Sequence, residues 1–323
     1  MPLVKSTYKK APFYLFNGHL QSIYPSVARK IEGVDYKRER LTLSDGDFVD
    51  LDWLDRGNNK LLIITHGLEG DSNRQYVKGA AKLFSQAGWD VLAWNCRSCS
   101  GEMNKKFRLY SHGEIGDFGE VIQHAQKRKE YAEISLMGHS LGGSITLKYL
   151  GVKGSNLDKN IKSATAFSTP CDLKGGAEIL DKFSNYPYRK KFLTKLRLKI
   201  EHKAAQFPGR IDLSDFDKIK IWKDFDDLFS APMNGYKDAE EFYRESSAKN
   251  FIRPIAIPTL LCSAKNDPIL PESCYPIDIC EKHKHLFLEI PEKGGHCGFL
   301  QAGDEFAYSE RRALAFVENQ SGC

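Results

Sequence analysis

The segment Gly138-His139-Ser140-Leu141-Gly142, set between an apolar strand and an apolar helix, constrains this chain more than any other feature. Glu133 to Met137 reads as a short buried strand, and Leu141, Ile145, Tyr149 and Leu150 recur at helical spacing behind it. A serine on such a strand-to-helix turn must adopt strained backbone angles, and its neighbours must be small enough for strand and helix to approach. Gly138, Gly142 and Gly143 meet that demand. The turn leaves Oγ exposed at a helix N-terminus, where free N–H groups favour developing negative charge. G-x-S-x-G alone says little, because glycine and serine are common. Flanked by this strand and helix, it marks Ser140 as a nucleophile.

The rest of the chain supplies a scaffold of the matching kind. Leu41–Ser44 and Val49–Trp53 alternate around Asp45-Gly46 and read as an antiparallel hairpin. Continuous apolar runs follow at Leu61–Thr65, Trp89–Trp94, Ile161–Phe167, Pro258–Ser263 and Leu286–Ile290. Helical stretches near Tyr76–Ala87, Asp117–Arg128 and Glu305–Glu318 separate or close them. This is the pattern of a mostly parallel, eight-stranded α/β sheet with helices on both faces. The rhythm breaks over residues 173–250, a charged, aromatic and mostly helical insertion expected to cap one edge of a single domain spanning 1–323. Within it Phe192, Leu196, Ile200, Ala204 and Phe207 share a helical stripe. The first reading is an amphipathic helix laid across the domain. The second is a basic surface touching a membrane, because lysines and arginines flank the stripe. Residues 12–30 read as an arm packed on the domain, with His19 structural.

Charge and cysteine usage narrow the classes. A net charge of +5 over 323 residues, with no nucleic-acid motif, does not suggest a nucleic-acid binder. The amino terminus lacks an apolar leader, and no run approaches the roughly 18 apolar residues needed to span a bilayer. Eight scattered cysteines then suit reduced thiols in the cytoplasm, and Cys96-Arg-Ser-Cys99 lacks the context of a redox or zinc site. Cys280, His283, His285 and Cys297 match no zinc module. No phosphate loop or dinucleotide fingerprint is present, so neither metal nor cofactor is expected.

A serine hydroxyl needs a base, and the base needs an acid to orient it. On such a sheet the order is serine, acid, histidine. Of the histidines after Ser140, His202 lies in the insertion, while His283 and His285 precede the last strand. His296 follows that strand in Lys293-Gly-Gly-His-Cys-Gly-Phe299 and is the preferred base. Asp267, in Asn266-Asp-Pro268 after the penultimate strand, is preferred as the acid over its competitor Asp172. Two amides should hold the oxyanion: Leu141, directly after the nucleophile, and Leu68 in His66-Gly-Leu-Glu-Gly70. The His66 ring is expected to fix that loop rather than act as a second base.

These features resemble the α/β-hydrolase superfamily over essentially the whole chain. Asn17-Gly-His-Leu-Gln-Ser-Ile-Tyr-Pro25, Asp45–Trp53, His66–Gly70, Ser98–Gly101, Ser140–Gly143, Lys148–Gly151, Asp224–Asp227, Ala231-Pro232 and Gly294–Phe299 narrow the resemblance. It points to the branch of bacterial YheT-like hydrolases, yeast medium-chain ethyl-ester synthases and mammalian membrane ABHD lipases. The resemblance implies Ser140, Asp267 and His296 as the triad and carboxylic esters, from short acyl esters to glycerolipids and phospholipids, as substrates. Two departures stand out: Ser144 where the branch usually has asparagine, and Ser111-His-Gly113 where it usually has His-Ser-Gly. Neither touches a triad residue. The expected activity is a serine carboxylic-ester hydrolase acting on a small-molecule or lipid ester. Acyl transfer to an alcohol by the same triad is the nearest alternative, a peptidase is disfavoured, and a non-catalytic binding protein is the rival of another class.

Overall fold

The computed structural model describes residues 3–321. In chain order its principal elements are β1 (Leu3–Val4), α1 (Gly18–Ala28), β2 (Lys37–Thr42), β3 (Phe48–Leu54), β4 (Lys60–Thr65), α2 (Gln75–Gln86), β5 (Asp90–Asn95) and α3 (Gly116–Arg128). These are followed by β6 (Glu133–His139), α4 (Leu141–Lys153), β7 (Ile161–Phe167), α5 (Leu173–Leu180), α6 (Tyr186–Gln206), β8 (Thr259–Cys262) and β9 (Leu286–Glu289), and the helix Tyr308–Ser321 closes the chain. The strands form one sheet in the order β1-β9-β8-β7-β6-β4-β5-β3-β2. From β5 through β1 every pairing is parallel, and β3 pairs antiparallel with both β2 and β5.

Among the described residues the sheet therefore has nine strands, not the eight expected. The addition is β1, whose two residues lie opposite Leu288 and Glu289. Two apolar residues at an edge leave no periodicity to read. The hairpin departs from expectation in another way: Asp50 and Asp52, on alternate positions of β3, are buried rather than facing water. Each lies opposite an arginine of β2, with Arg38 bidentate to Asp52 and Arg40 bidentate to Asp50. A paired carboxylate escapes most of the desolvation cost that burial would impose.

The parallel strands are buried on both faces, as their unbroken apolar runs require. Leu61 and Ile63 of β4 point into one apolar layer with α3 and α4, while Leu62 and Ile64 point into another with α2 and the closing helix. Fixed between these layers, the carboxyl ends of β4, β6, β8 and β9 carry the loops of interest.

Residues 173–250 form α5, α6 and a run of helix comprising Trp222–Phe225, a π-helical turn at Asp226–Ser230, and Ala231–Met233. Their apolar side chains make a third core, in which Leu196 and Ile200 of α6 pack with Trp222, Phe225, Phe229 and Phe242. The stripe on α6 thus covers protein. Two of its lysines do the same. Lys199 Nζ lies 2.7 Å from Glu69 Oε1, and Lys203, buried, donates to the carbonyls of Asn104 and Lys106 at 2.6 Å. Among the described residues no helix is long and apolar enough to cross a membrane.

Candidate active site

Ser140 sits between β6 and α4 with φ 52° and ψ −120°, a conformation costly for any residue with a side chain. The turn survives because its flanks are glycines. A methyl group at Gly142 would lie 2.2 Å from the Thr65 carbonyl oxygen, and one at Gly138 would lie 2.3 Å from that of Gly142. Beneath the serine, His139 is buried, stacked on Phe167 and tilted against Tyr76. Neither of its ring nitrogens has a partner among the described residues. Burial first, and then the charge of His296, hold its pKa down to about 3, so the ring is a neutral floor.

The loop after β9 brings His296 Nε2 to 2.9 Å from Ser140 Oγ. The loop after β8 brings Asp267 Oδ2 to 2.8 Å from His296 Nδ1. The other Asp267 oxygen accepts from the Ile269 amide at 3.0 Å, which fixes the carboxylate in its turn. Burial opposes a charge on the His296 ring, but the adjacent Asp267 carboxylate outweighs it and raises the ring's pKa well above the ordinary histidine range. With Nδ1 donating to Asp267, Nε2 is left to accept the serine proton.

What holds the histidine loop was not visible in the sequence. The arm forms α1, capped by Asn17, whose Oδ1 accepts from the Leu20 amide. Ser22 Oγ accepts the backbone N–H of His296 itself at 2.7 Å. Gln21 Oε1 accepts from the Gly294 amide at 2.8 Å and from Asn266 Nδ2 at 3.0 Å. Contact is close enough that a methyl at Gly298 would meet the Gln21 carbonyl oxygen at 1.9 Å. On the far side, Ser168 Oγ takes the Cys297 amide at 2.9 Å. His19 ties the arm to α6 by stacking on Tyr188 and bonding its hydroxyl at 3.2 Å.

The loop after β4 passes beside Ser140, for a methyl at Gly67 would lie 3.1 Å from Ser140 Cβ. Gly67 N–H donates to Tyr76 Oη at 3.0 Å and Glu69 N–H to Tyr110 Oη at 2.7 Å. The Leu68 amide between them, and the Leu141 amide at the start of α4, have no acceptor among the described residues. His66 holds this loop: its Nδ1 lies 2.8 Å from the Gly67 oxygen, and its Nε2 accepts from the Cys96 amide at 3.1 Å. Above the site lies an apolar cavity reaching Ser140, Leu141, Leu68 and His296 and walled by Leu173, Leu196, Trp222, Phe229 and Ile269 among others. A hydroxyl, an imidazole and a carboxylate in series can carry out acyl transfer through a covalent intermediate.

Comparison with known proteins gives the family. The α/β hydrolase fold family matches residues 60–302. The chain belongs to that family. It is 32% identical over 297 residues to YheT of Escherichia coli (strain K12), provisionally named an esterase, covering 88% of this chain and 84% of that one. It is 26% identical over 329 residues to phospholipase ABHD3 of Homo sapiens, covering 98% and 80%. A monoacylglycerol lipase of Saccharomyces cerevisiae is 29% identical over 252 residues, covering 75% and 55%. Among solved structures, the Pyrococcus furiosus esterase Pf2001 shares the fold with a TM-score of 0.60 at 18% identity, covering 90% of this chain and 96% of its own.

Within this α/β hydrolase the other sequence candidates lie elsewhere. Asp172 is 3.0 Å from Lys249 Nζ and does not meet the histidine. His202 is exposed on α6. His283 braces its own turn, taking the amides of His285 and Leu286 on Nδ1. Cys280 and Cys297 pack in different apolar layers. Cys96 is buried, and Cys99 lies 3.3 Å from Lys199 Nζ.

Proposed function

We propose that this α/β hydrolase is a serine carboxylic-ester hydrolase working through an acyl-enzyme. Ser140 Oγ attacks the ester carbonyl while His296 Nε2 takes its proton. The Leu68 and Leu141 amides hold the oxyanion, and Asp267 stabilises the imidazolium and keeps Nδ1 protonated. The intermediate collapses by breaking the acyl C–O bond, and His296 returns the proton to the departing alcohol. Water, activated by the same histidine, then releases the acid. Residues 173–250 act in this reading as a cap whose apolar wall receives the acyl chain.

One observation carries the reading: the unbroken series from Asp267 through His296 to Ser140, at 2.8 and 2.9 Å, opening on an apolar cavity. The esterase and lipase names of the relatives support the same bond class. Hydrolysis of p-nitrophenyl esters by purified protein tests it. Ser140→Ala should lose on the order of 10⁶ in kcat. A variant that keeps turning over these esters would overturn the reading.

A further inference from the structure

A second cavity also reaches Ser140 and His296, and unlike the first it has basic side chains in its wall. It is bounded by α1, by the start of α2 and by α6, and it is lined by Arg74, Lys191 and Lys195. Lys191 and Lys195 are four residues apart on α6 and share one face, an arrangement of like charges that is ordinarily unfavourable. Arg74 and Lys195 converge further: Arg74 Nη2 lies 2.6 Å, and Lys195 Nζ 3.4 Å, from the same backbone oxygen of Glu69.

No carboxylate is ion-paired with the group, although Glu69 lines the same cavity. Among the described residues none of the three cations has an acidic partner within 4.0 Å. The Glu69 carboxylate is already taken by Lys199 and by the Tyr110 hydroxyl, each at 2.7 Å, and Asp71 Oδ1 accepts from the Asn73 amide. Burial, and next the charge of Arg74, hold both Lys191 and Lys195 below the ordinary lysine range. Gln75 and Tyr76, in the first turn of α2, line the same cavity, and that turn has no side-chain cap. By contrast, Lys199 and Lys203, further along α6, are both satisfied within the protein.

We propose that Arg74, Lys191 and Lys195 form an anion subsite for a phosphate carried on the alcohol part of the ester, a proposal that rests on the ester-hydrolase reading above. With the acyl chain in the apolar cavity, the alcohol occupies the second one. An arginine fork and two ammonium groups suit a phosphate dianion better than a neutral glycerol. The chemistry at Ser140 is unchanged: the acyl C–O bond breaks, His296 protonates the phosphate-bearing alkoxide, and water completes the hydrolysis.

The test compares two esters with the same acyl chain, a 1-acylglycerol and the corresponding 1-acylglycerol 3-phosphate. Wild-type kcat/KM should favour the phosphate ester by about 10-fold or more, and Lys191→Ala with Lys195→Ala should lower that ratio by at least about 10-fold. A wild-type ratio near one, with both esters hydrolysed, overturns the subsite and leaves the hydrolase reading standing. Binding of glycerol 3-phosphate to Ser140→Ala protein, measured by calorimetry, needs no turnover. It should weaken by at least about 10-fold in the double lysine variant. Unchanged binding in that variant overturns the proposal. So does inorganic phosphate binding as tightly as glycerol 3-phosphate, since the site would then take a free anion rather than a head group.

Discussion

The His296 ring carries the clearest pH signature. As the proposed base it must be neutral, and its raised pKa means protons compete for Nε2 to higher pH than on a free imidazole. In this protein kcat/KM should therefore fall on the acid side along a limb above the ordinary histidine range. Asp267→Asn removes the charge that raises the pKa, so the limb should move to lower pH while kcat drops on the order of 10⁴. A pH–rate profile on a p-nitrophenyl ester checks both; a limb that stays in place would mean another group titrates. Ser140, Asp267 and His296 were legible in the sequence because each follows an apolar strand in the order this topology dictates. The approach of the Leu68 loop to Ser140 was legible from the glycines around it. Ser22 and Gln21 were not, since a side chain that caps an amide more than 270 positions away leaves no local trace.

Among elements, α1 changes most between sequence and structure. Its residues read as an arm of mixed character, yet it backs the histidine loop through Ser22, Gln21 and the close approach at Gly298. Ser22→Ala removes the acceptor of the His296 amide and should lower kcat by roughly 10- to 100-fold through misplacement of the ring, with Tm nearly unchanged. Ser22→Thr, which keeps a hydroxyl, should recover most of the loss. A kcat within twofold of wild type in Ser22→Ala would reduce the arm to packing. The lysine row of α6 teaches the converse lesson. Composition suggests a basic surface, whereas Lys199 and Lys203 of that row bind oxygens of the sheet domain's loops. Helical periodicity places residues on a face but does not say what lies opposite. The two-residue β1 is too short to show any period.

At the scale of the whole molecule, one sheet places four loops at the carboxyl ends of β4, β6, β8 and β9, and two cavities of unlike lining meet at the serine they surround. The alternation of strand and helix made that sheet legible. The cavities arise from residues 173–250 and from α1, whose packing depends on contacts far apart in sequence, so their lining emerged only in three dimensions. The central claim is that Ser140 forms the covalent intermediate. Reaction with a fluorophosphonate, followed by digestion and mass spectrometry, tests it most directly. A single adduct on the peptide containing Ser140, absent from Ser140→Ala protein, is the predicted result; an adduct on another residue, or ester hydrolysis by protein that cannot be labelled, would contradict it.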